Sequence, residues 1–161
     1  MNNRLLRLQD GCAASNHSLN QDLASILREA RDFHGHFGPF LVMGVRAGMI
    51  ALRELQTDKE NKGLRAVASL IYSVPYSCIL DGVQFSTGCT VGNKRLRLEE
   101  SSDFSIVLED SGNGKVTVAL LSRAVDELKR KLAKDLSTED VERLAHKVAS
   151  MAEEELFLVD R

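Results

Sequence analysis

The chain has 161 residues, of which 43% are hydrophobic and 27% charged, and only two are proline. This composition suits one globular domain with a substantial core and excludes a disordered or low-complexity chain. A formal net charge of -2 gives no electrostatic reason to bind nucleic acid or an anionic membrane surface, and with 5% aromatic residues and no tryptophan there is little to stack on single strands. We therefore expect neither nucleic acid nor a membrane as a partner.

Three cysteines, Cys12, Cys78 and Cys89, cannot all pair within one chain and do not form a disulfide framework. The N-terminus has no apolar segment typical of a secretory signal. The longest mostly apolar run, residues 40–52, is shorter than the roughly 20 residues that cross a bilayer. The sequence therefore predicts a cytoplasmic protein with reduced thiols.

The organisation predicted from the sequence is a loose leader over residues 1–17 followed by a single domain over residues 18–161. The first predicted helix begins at Ser18, which stands three residues before Gln21 as in a capping box. Its apolar residues recur at helical spacing as far as about Arg31.

A second helix is predicted over residues 40–55, and it is apolar nearly all round. Arg46 and Arg53, seven residues apart, interrupt the same face. A helix of this kind is buried on most sides, so we expect it to be the long central helix of the fold. Gly44 and Gly48, four residues apart, would let another element approach its backbone closely.

The remainder of the chain alternates short strands and helices. The predicted strands cover residues 64–74, 94–100, 104–110, 115–121 and 156–159. The third and fourth of these are joined by Ser-Gly-Asn-Gly, which is a hairpin signal. Three more helices are predicted. The first covers residues 78–85, the second has an apolar face from Ala124 to Leu136, and the third is capped by Ser137 with Asp140. This order predicts an α+β fold with a mostly antiparallel sheet packed against helices.

Two histidines, His34 and His36, flank Gly35 just before the second helix. If this segment is extended, both imidazoles project to the same side and can reach one metal ion. On spacing alone, a pair of hydrated loop histidines is an equally good interpretation. A turn at the positive end of a helix also favours an anion, a thiolate or a carboxylate nearby.

Cys78 and Cys89 form the second reactive pair. An unbroken helix would separate them by about 16 Å, too far to share one ion. Sharing would require Gly88 to break the helix and the loop to fold back; otherwise the thiols serve different sites or a site across a dimer interface. Cys78 alone could equally be a small core residue. Glycines on both sides of Cys89 are expected to expose its sulfur.

Several polar residues accompany these pairs. Asp81 and Gln84 share a helical face with Cys78 and either orient a ligand or form polar surface. Lys94 begins a small basic patch, which suits a solvated strand face or an anionic ligand beside the second cysteine. His146 lies opposite the apolar stripe of its helix and is predicted to face solvent.

The two blocks of residues together resemble the FmdE family, which is named for one component of formylmethanofuran dehydrogenase, the molybdenum or tungsten enzyme of methanogenic carbon dioxide reduction. The resemblance covers roughly residues 20–160. It is carried by Phe33-His34-Gly35-His36-x-Gly38-Pro39, followed by an apolar helix, and by Cys78-x-x-Asp81-Gly-Val-Gln84-x-x-Thr87-Gly88-Cys89-Thr90-x-Gly92-Asn93-Lys94.

The resemblance implies an α+β domain, often a homodimer, that binds zinc or another divalent transition metal. Carried over by position, the candidate metal ligands are His34, His36, Cys78 and Cys89. The candidates for residues that support these ligands or bind a further group are Asp81, Gln84, Thr87 and Lys94. Many members have a cysteine immediately before the proline of the first block, whereas this chain has Gly38.

Three functional hypotheses follow. The first is a metal-binding accessory subunit or metal-handling protein that docks to a molybdenum or tungsten formylmethanofuran dehydrogenase; the resemblance assigns no reaction to the chain itself. The second is a small-molecule enzyme with Cys89 as nucleophile and His34 or His36 as base. The third is a dimeric structural or interaction module.

Overall fold

The protein is described by a computed structural model that covers the backbone of residues 13–161 and the side chains from residue 23 onward. Within this part of the chain, helices and strands follow in an α+β order, as predicted. The elements are α1 (Ala13–His34), α2 (Pro39–Glu54), β1 (Arg65–Leu70), α3 (Cys78–Thr87), β2 (Leu96–Glu100), β3 (Ser105–Asp110), β4 (Gly114–Leu120), α4 (Ser122–Leu132), α5 (Thr138–Ser150), α6 (Glu153–Leu156) and β5 (Phe157–Asp160).

The strands form one sheet in the order β2-β1-β3-β4-β5. Only the β1–β2 pair is parallel; the other three pairs are antiparallel, which confirms the mostly antiparallel prediction. The parallel pair requires a crossover connection, and α3 lies within it. The predicted hairpin joins β3 to β4, and the last predicted strand is β5, which lies at one edge of the sheet.

One face of the sheet forms part of the core. Along β3 and β4, Ile106 faces Val118 and Leu108 faces Val116, and all four are buried. Because side chains alternate between the two faces of a strand, this register directs one apolar row from each strand toward the helices.

The central helix α2 is buried over most of its length, as predicted. A Cβ placed on Gly44 would lie 2.2 Å from the carbonyl oxygen of Ile79, and one on Gly82 would lie 2.5 Å from the carbonyl oxygen of Leu41. The backbones of α2 and α3 are therefore in direct contact. The predicted close approach to α2 is confirmed at Gly44, and it places α3 and its N-terminal Cys78 against the core.

The predicted boundaries of the first helix are wrong at both ends. Helix α1 begins at Ala13, five residues before Ser18, so Ser18 is not its N-terminal cap. It continues to His34 instead of ending near Arg31. Residues 1–12 lie outside the described part of the chain, as do the side chains of the predicted capping box, so the loose leader stays a prediction.

Three later boundaries also differ from the prediction. Strand β1 ends at Leu70, and β2 begins at Leu96 because Lys94 has a φ of 60° and lies in a turn. Helix α4 ends at Leu132, so Leu136 is not part of its apolar stripe. The chain must leave the helical conformation there because Ser137, with an extended backbone, caps α5 by accepting a hydrogen bond from the backbone N–H of Asp140.

Among the helices of the described residues, none combines the length and the apolar character needed to cross a bilayer.

Candidate metal centre

The end of α1 brings the two histidines together. His34 is its last residue, and Gly35 follows with a φ of 93°, a left-handed conformation that glycine adopts readily. The N–H of Gly35 donates to the carbonyl oxygen of Arg31 at 2.8 Å and closes the helix. The segment is therefore a helix end and a tight turn, so the extended conformation considered for it from the sequence does not occur. The turn still brings the imidazoles to a centroid distance of 4.3 Å.

Helix α3 supplies the third group. Its first residue, Cys78, is buried, whereas His34 is half-buried and His36 is exposed. One ligand atom from each of these residues lies within 4.8 Å of the other two. We call these three residues the His/His/Cys group. Two segments far apart in the sequence thus converge on one point, with one ligand open to solvent.

A chain of hydrogen bonds orients His34. Its Nδ1 lies 2.6 Å from Oδ2 of Asp81, and the amide nitrogen of Gln84 donates to Oδ1 of Asp81 at 3.0 Å. The backbone N–H of Val91 in turn donates to Oε1 of Gln84 at 3.1 Å. A carboxylate on one ring nitrogen places the proton there and leaves the lone pair of the other nitrogen available to a metal.

The other ring nitrogen of His34 shows that a metal would fit. Nε2 of His34 is buried, and no hydrogen-bond partner for it exists within the described part of the chain. Buried polar atoms are rarely left unsatisfied, because the loss of hydration costs about 1–3 kcal/mol. A metal ion held by the His/His/Cys group would satisfy this nitrogen.

Partial desolvation of the His36 ring and burial of Cys78 shift the pKa values of the other two members. The pKa of His36 is lowered by desolvation and then by the neighbouring His34, which favours the neutral imidazole that binds metals. Burial and then the Asp81 carboxylate raise the pKa of Cys78. A bound cation acts in the opposite direction and stabilises the thiolate.

The structure does not bring Cys89 into this group. The ten residues of α3 carry the chain about 15 Å away from Cys78. Gly88 does break the helix, with a φ of 67°, but the loop does not fold back toward the histidines. Asn93 and Arg95 bind the carbonyl oxygen of Gly88 at 2.8 and 2.6 Å and hold the loop at the end of α3.

The environment of Cys89 also differs from that of a nucleophile. Its side chain is 0% exposed, so the expectation that the flanking glycines expose the sulfur is wrong. Burial raises the pKa of its thiol, whereas a reactive cysteine needs a lowered one. The geometry therefore gives no support to a Cys89 nucleophile with His34 or His36 as its base.

The other predicted residues lie apart from the His/His/Cys group. Thr87 is fully buried; its hydroxyl donates to the carbonyl oxygen of Val83 at 2.7 Å and accepts from the N–H of Cys89 at 3.1 Å. Lys94 is exposed in the turn after α3. His146 is exposed, as predicted, and its ring lies 4.9 Å from that of Phe37.

Gly38, which stands in the place of the family cysteine, faces the group. It is the N-terminal cap of α2, with an extended backbone that any residue can adopt. A Cβ built on Gly38 would lie 3.2 Å from Nε2 of His36. A side chain at this position would therefore lie against the imidazole of His36, which would have to shift by a few tenths of an ångström to admit it.

The hydrogen bond between Nδ1 of His34 and Asp81 leads to a first prediction. Asp81→Asn should weaken zinc binding by about 10–100-fold, because the amide no longer fixes the ring orientation or its tautomer. Competition with a fluorescent zinc chelator measures the affinity. Asp103→Asn, at an exposed position outside the group, is the matched control and should bind zinc like the unchanged protein. Equal affinities in the two variants would contradict the role given to Asp81.

Comparison with protein families gives one match that spans most of the chain. The family model described as "FmdE, Molybdenum formylmethanofuran dehydrogenase operon" matches residues 33–158. This range contains all three members of the His/His/Cys group.

Two further proteins are similar to this chain. A tungsten formylmethanofuran dehydrogenase FmdE-like protein from Syntrophus aciditrophicus has the same fold, with a TM-score of 0.58 and 23% identity over 86% of this chain and 70% of that one. A probable S-adenosyl-L-methionine-binding protein from Archaeoglobus fulgidus is 38% identical over 76 residues. That match covers 46% of this chain and only 20% of the relative, so the chain spans about a fifth of the relative's length.

Proposed function

Since the chain belongs to the FmdE family, we propose that it is a metal-binding accessory or metal-handling protein that works with a molybdenum or tungsten formylmethanofuran dehydrogenase. The description of the family, which names the operon of that enzyme, supports the partner. The His/His/Cys group supports the metal.

One observation carries the proposal. The end of α1 and the start of α3 place two imidazoles and a thiol within 4.8 Å of one another, and the buried Nε2 of His34 has no partner within the described residues. In a purely structural role for these residues, that nitrogen would be expected to donate or accept a hydrogen bond. Its orientation by Asp81 is the arrangement found around metal-binding histidines.

The chemistry of the three groups favours zinc. Imidazole nitrogen and thiolate sulfur are the ligands that zinc prefers, at about 2.0–2.1 and 2.3 Å. Closed structural zinc sites use four protein ligands, whereas three leave one position open. The present group has three ligands, an exposed His36 and a glycine facing it. These features suit an ion that is exchanged or meets another molecule better than an ion locked into the fold.

Cobalt(II) titration tests which thiol binds the metal. The protein should take up one equivalent of cobalt and develop the charge-transfer absorption of a cobalt–thiolate bond. Cys78→Ser should abolish that absorption, because it removes the thiol of the His/His/Cys group. Cys89→Ser is the matched control: it exchanges a buried thiol outside the group and should retain the absorption.

The opposite result, in which the absorption survives in Cys78→Ser and is lost in Cys89→Ser, would contradict the assignment. Circular dichroism of each variant establishes that the fold is retained. Co-elution with the purified dehydrogenase complex measures the proposed association, and the solution mass measures the homodimer that the resemblance implies.

S-adenosyl-L-methionine is not part of the proposal. The archaeal protein named for it is 38% identical to this chain over 76 residues, which cover only 20% of its length.

A further inference from the structure

A large cleft lies beside the His/His/Cys group but does not include it. Helices α1, α2 and α5 and the segment that leads into α6 border this cleft, which is half open to solvent and has a volume of about 1060 Å³. Pockets that hold small organic ligands span about 300–1,000 Å³, so this cleft is large enough for one. Phe37, the residue after His36, forms part of its wall.

Most of the wall is apolar. The larger apolar side chains that line it are Leu23, Leu27, Phe37, Met49, Ile50 and Met151. Three of these, Leu27, Phe37 and Ile50, also belong to the hydrophobic core, so the floor of the cleft is continuous with well-packed structure. Such a wall would bind the apolar body of a ligand.

Two of the arginines that line the cleft have no ion-pair partner within the described residues. Four arginines line it, namely Arg28, Arg31, Arg46 and Arg53, together with two glutamates, Glu142 and Glu153. Arg53 holds Glu153 through two hydrogen bonds of 2.7 and 2.9 Å, and Arg31 pairs with Asp32 at 3.0 Å. Arg53 also pairs with Glu54 at 2.9 Å, so Arg28 and Arg46 are the two cleft arginines that form no ion pair within the described residues.

Arg46 is the most unusual of these residues. It is only 8% exposed, and Nη1 donates to the carbonyl oxygen of Val148 at 2.7 Å. Its guanidinium carbon also lies 5.7 Å from the centre of the Phe157 ring. Among residues 23–161, no carboxylate lies within ion-pair distance of it.

A buried guanidinium in this setting is costly. Desolvation lowers the pKa of Arg46, and the glutamates Glu153 and Glu155 oppose that shift only from a distance. A buried charge without a close partner is destabilising, and a planar guanidinium with free N–H groups is suited to a carboxylate.

We propose that the cleft binds a small apolar monocarboxylate, whose carboxylate pairs with Arg46 and whose apolar body lies against Leu27, Met49 and Ile50. The one guanidinium of Arg46 suits a single carboxylate on the ligand. The site goes beyond the proposed metal function, because none of the three metal-binding candidates lines the cleft.

Displacement of a bound fluorescent dye tests this site with defined probes. The dye is 8-anilinonaphthalene-1-sulfonate, an apolar anion, and the competitors are octanoate and 1-octanol, which share an alkyl chain and differ in the carboxylate. Octanoate should displace the dye at a concentration at least about tenfold lower than 1-octanol, as expected for a charge-assisted hydrogen bond. Equal potency of the two competitors would overturn the proposal.

Variants locate the site. Ala24→Phe fills the cleft from an exposed helical position and should weaken both the dye and octanoate by about tenfold or more. Arg46→Gln should remove the preference for octanoate. Arg97→Gln, an exposed arginine outside the cleft, should change the binding of neither the dye nor octanoate. Unchanged binding in Ala24→Phe would overturn the location, and this result does not depend on whether the Arg46 variant folds.

Discussion

Gly38→Cys is expected to tighten zinc binding on the order of a hundredfold. A Cβ at this position lies 3.2 Å from Nε2 of His36, so a thiol attached to it reaches the His/His/Cys group. The extended backbone of Gly38 accepts any side chain without strain. Zinc sites with four protein ligands have binding free energies of about 10–16 kcal/mol, or about 2.5–4 kcal/mol for each ligand, so one added thiolate has a large effect.

Gly38→Ala is the matched control, because it adds the same Cβ without the sulfur. Chelator competition should show nearly unchanged zinc affinity in this variant, and cobalt spectra should show a second thiolate only in the cysteine variant. If the cysteine and alanine variants bind zinc equally, the space beside His36 does not face the metal. If both variants lose zinc, the added Cβ itself displaces His36, and a fourth ligand cannot be supplied from position 38.

Gly44→Ala is expected to lower the free energy of unfolding by about 3 kcal/mol. The new Cβ would lie 2.2 Å from a backbone oxygen, that of Ile79, and backbone cannot rotate out of the way as a side chain can. Helix α3 must move away from α2. Since α3 carries Cys78 and Asp81, zinc affinity should fall along with stability.

Urea unfolding measures this change. Gly92→Ala is the control: a Cβ there would meet no atom closer than 3.8 Å, so the change should stay within about 0.5 kcal/mol. A Gly44→Ala variant as stable as Gly92→Ala would show that the two helices are not in the close contact described.

The sequence predicted the main architecture because its signals were local and strong. The apolar circumference of α2 indicated burial, the Ser-Gly-Asn-Gly segment indicated the β3–β4 hairpin, and Ser137 with Asp140 indicated the cap of α5. Boundaries were less accurate. Helical propensity does not show that α1 continues to His34 before Gly35 reverses the chain, or that α4 stops before Leu136.

The candidate site was only partly predictable. Spacing and resemblance pointed to His34, His36 and Cys78, which the structure brings together, but equally to Cys89, which it does not. Which cysteine joins the histidines depends on how α3 packs on α1 and α2, and that is a tertiary property. The backbone N–H of Val91, which anchors Gln84, carries no signal in the sequence.

The cleft shows a different limit of sequence reasoning. In the sequence, Arg46 and Arg53 stood out as charges on one face of an apolar helix, yet the two side chains differ in whether they form an ion pair. Arg53 is matched by Glu153, one hundred positions away in the chain, whereas Arg46 has no such partner within the described residues. Pairing at that separation cannot be read from helical spacing.

The zinc content of protein purified without added metal and dialysed against metal-free buffer tests the central claim most directly. Elemental analysis should find one zinc per chain in the unchanged protein and in Cys89→Ser, and none in folded Cys78→Ser. A folded, stable and metal-free unchanged protein that takes up no zinc on titration would contradict the account, as would zinc retained by Cys78→Ser.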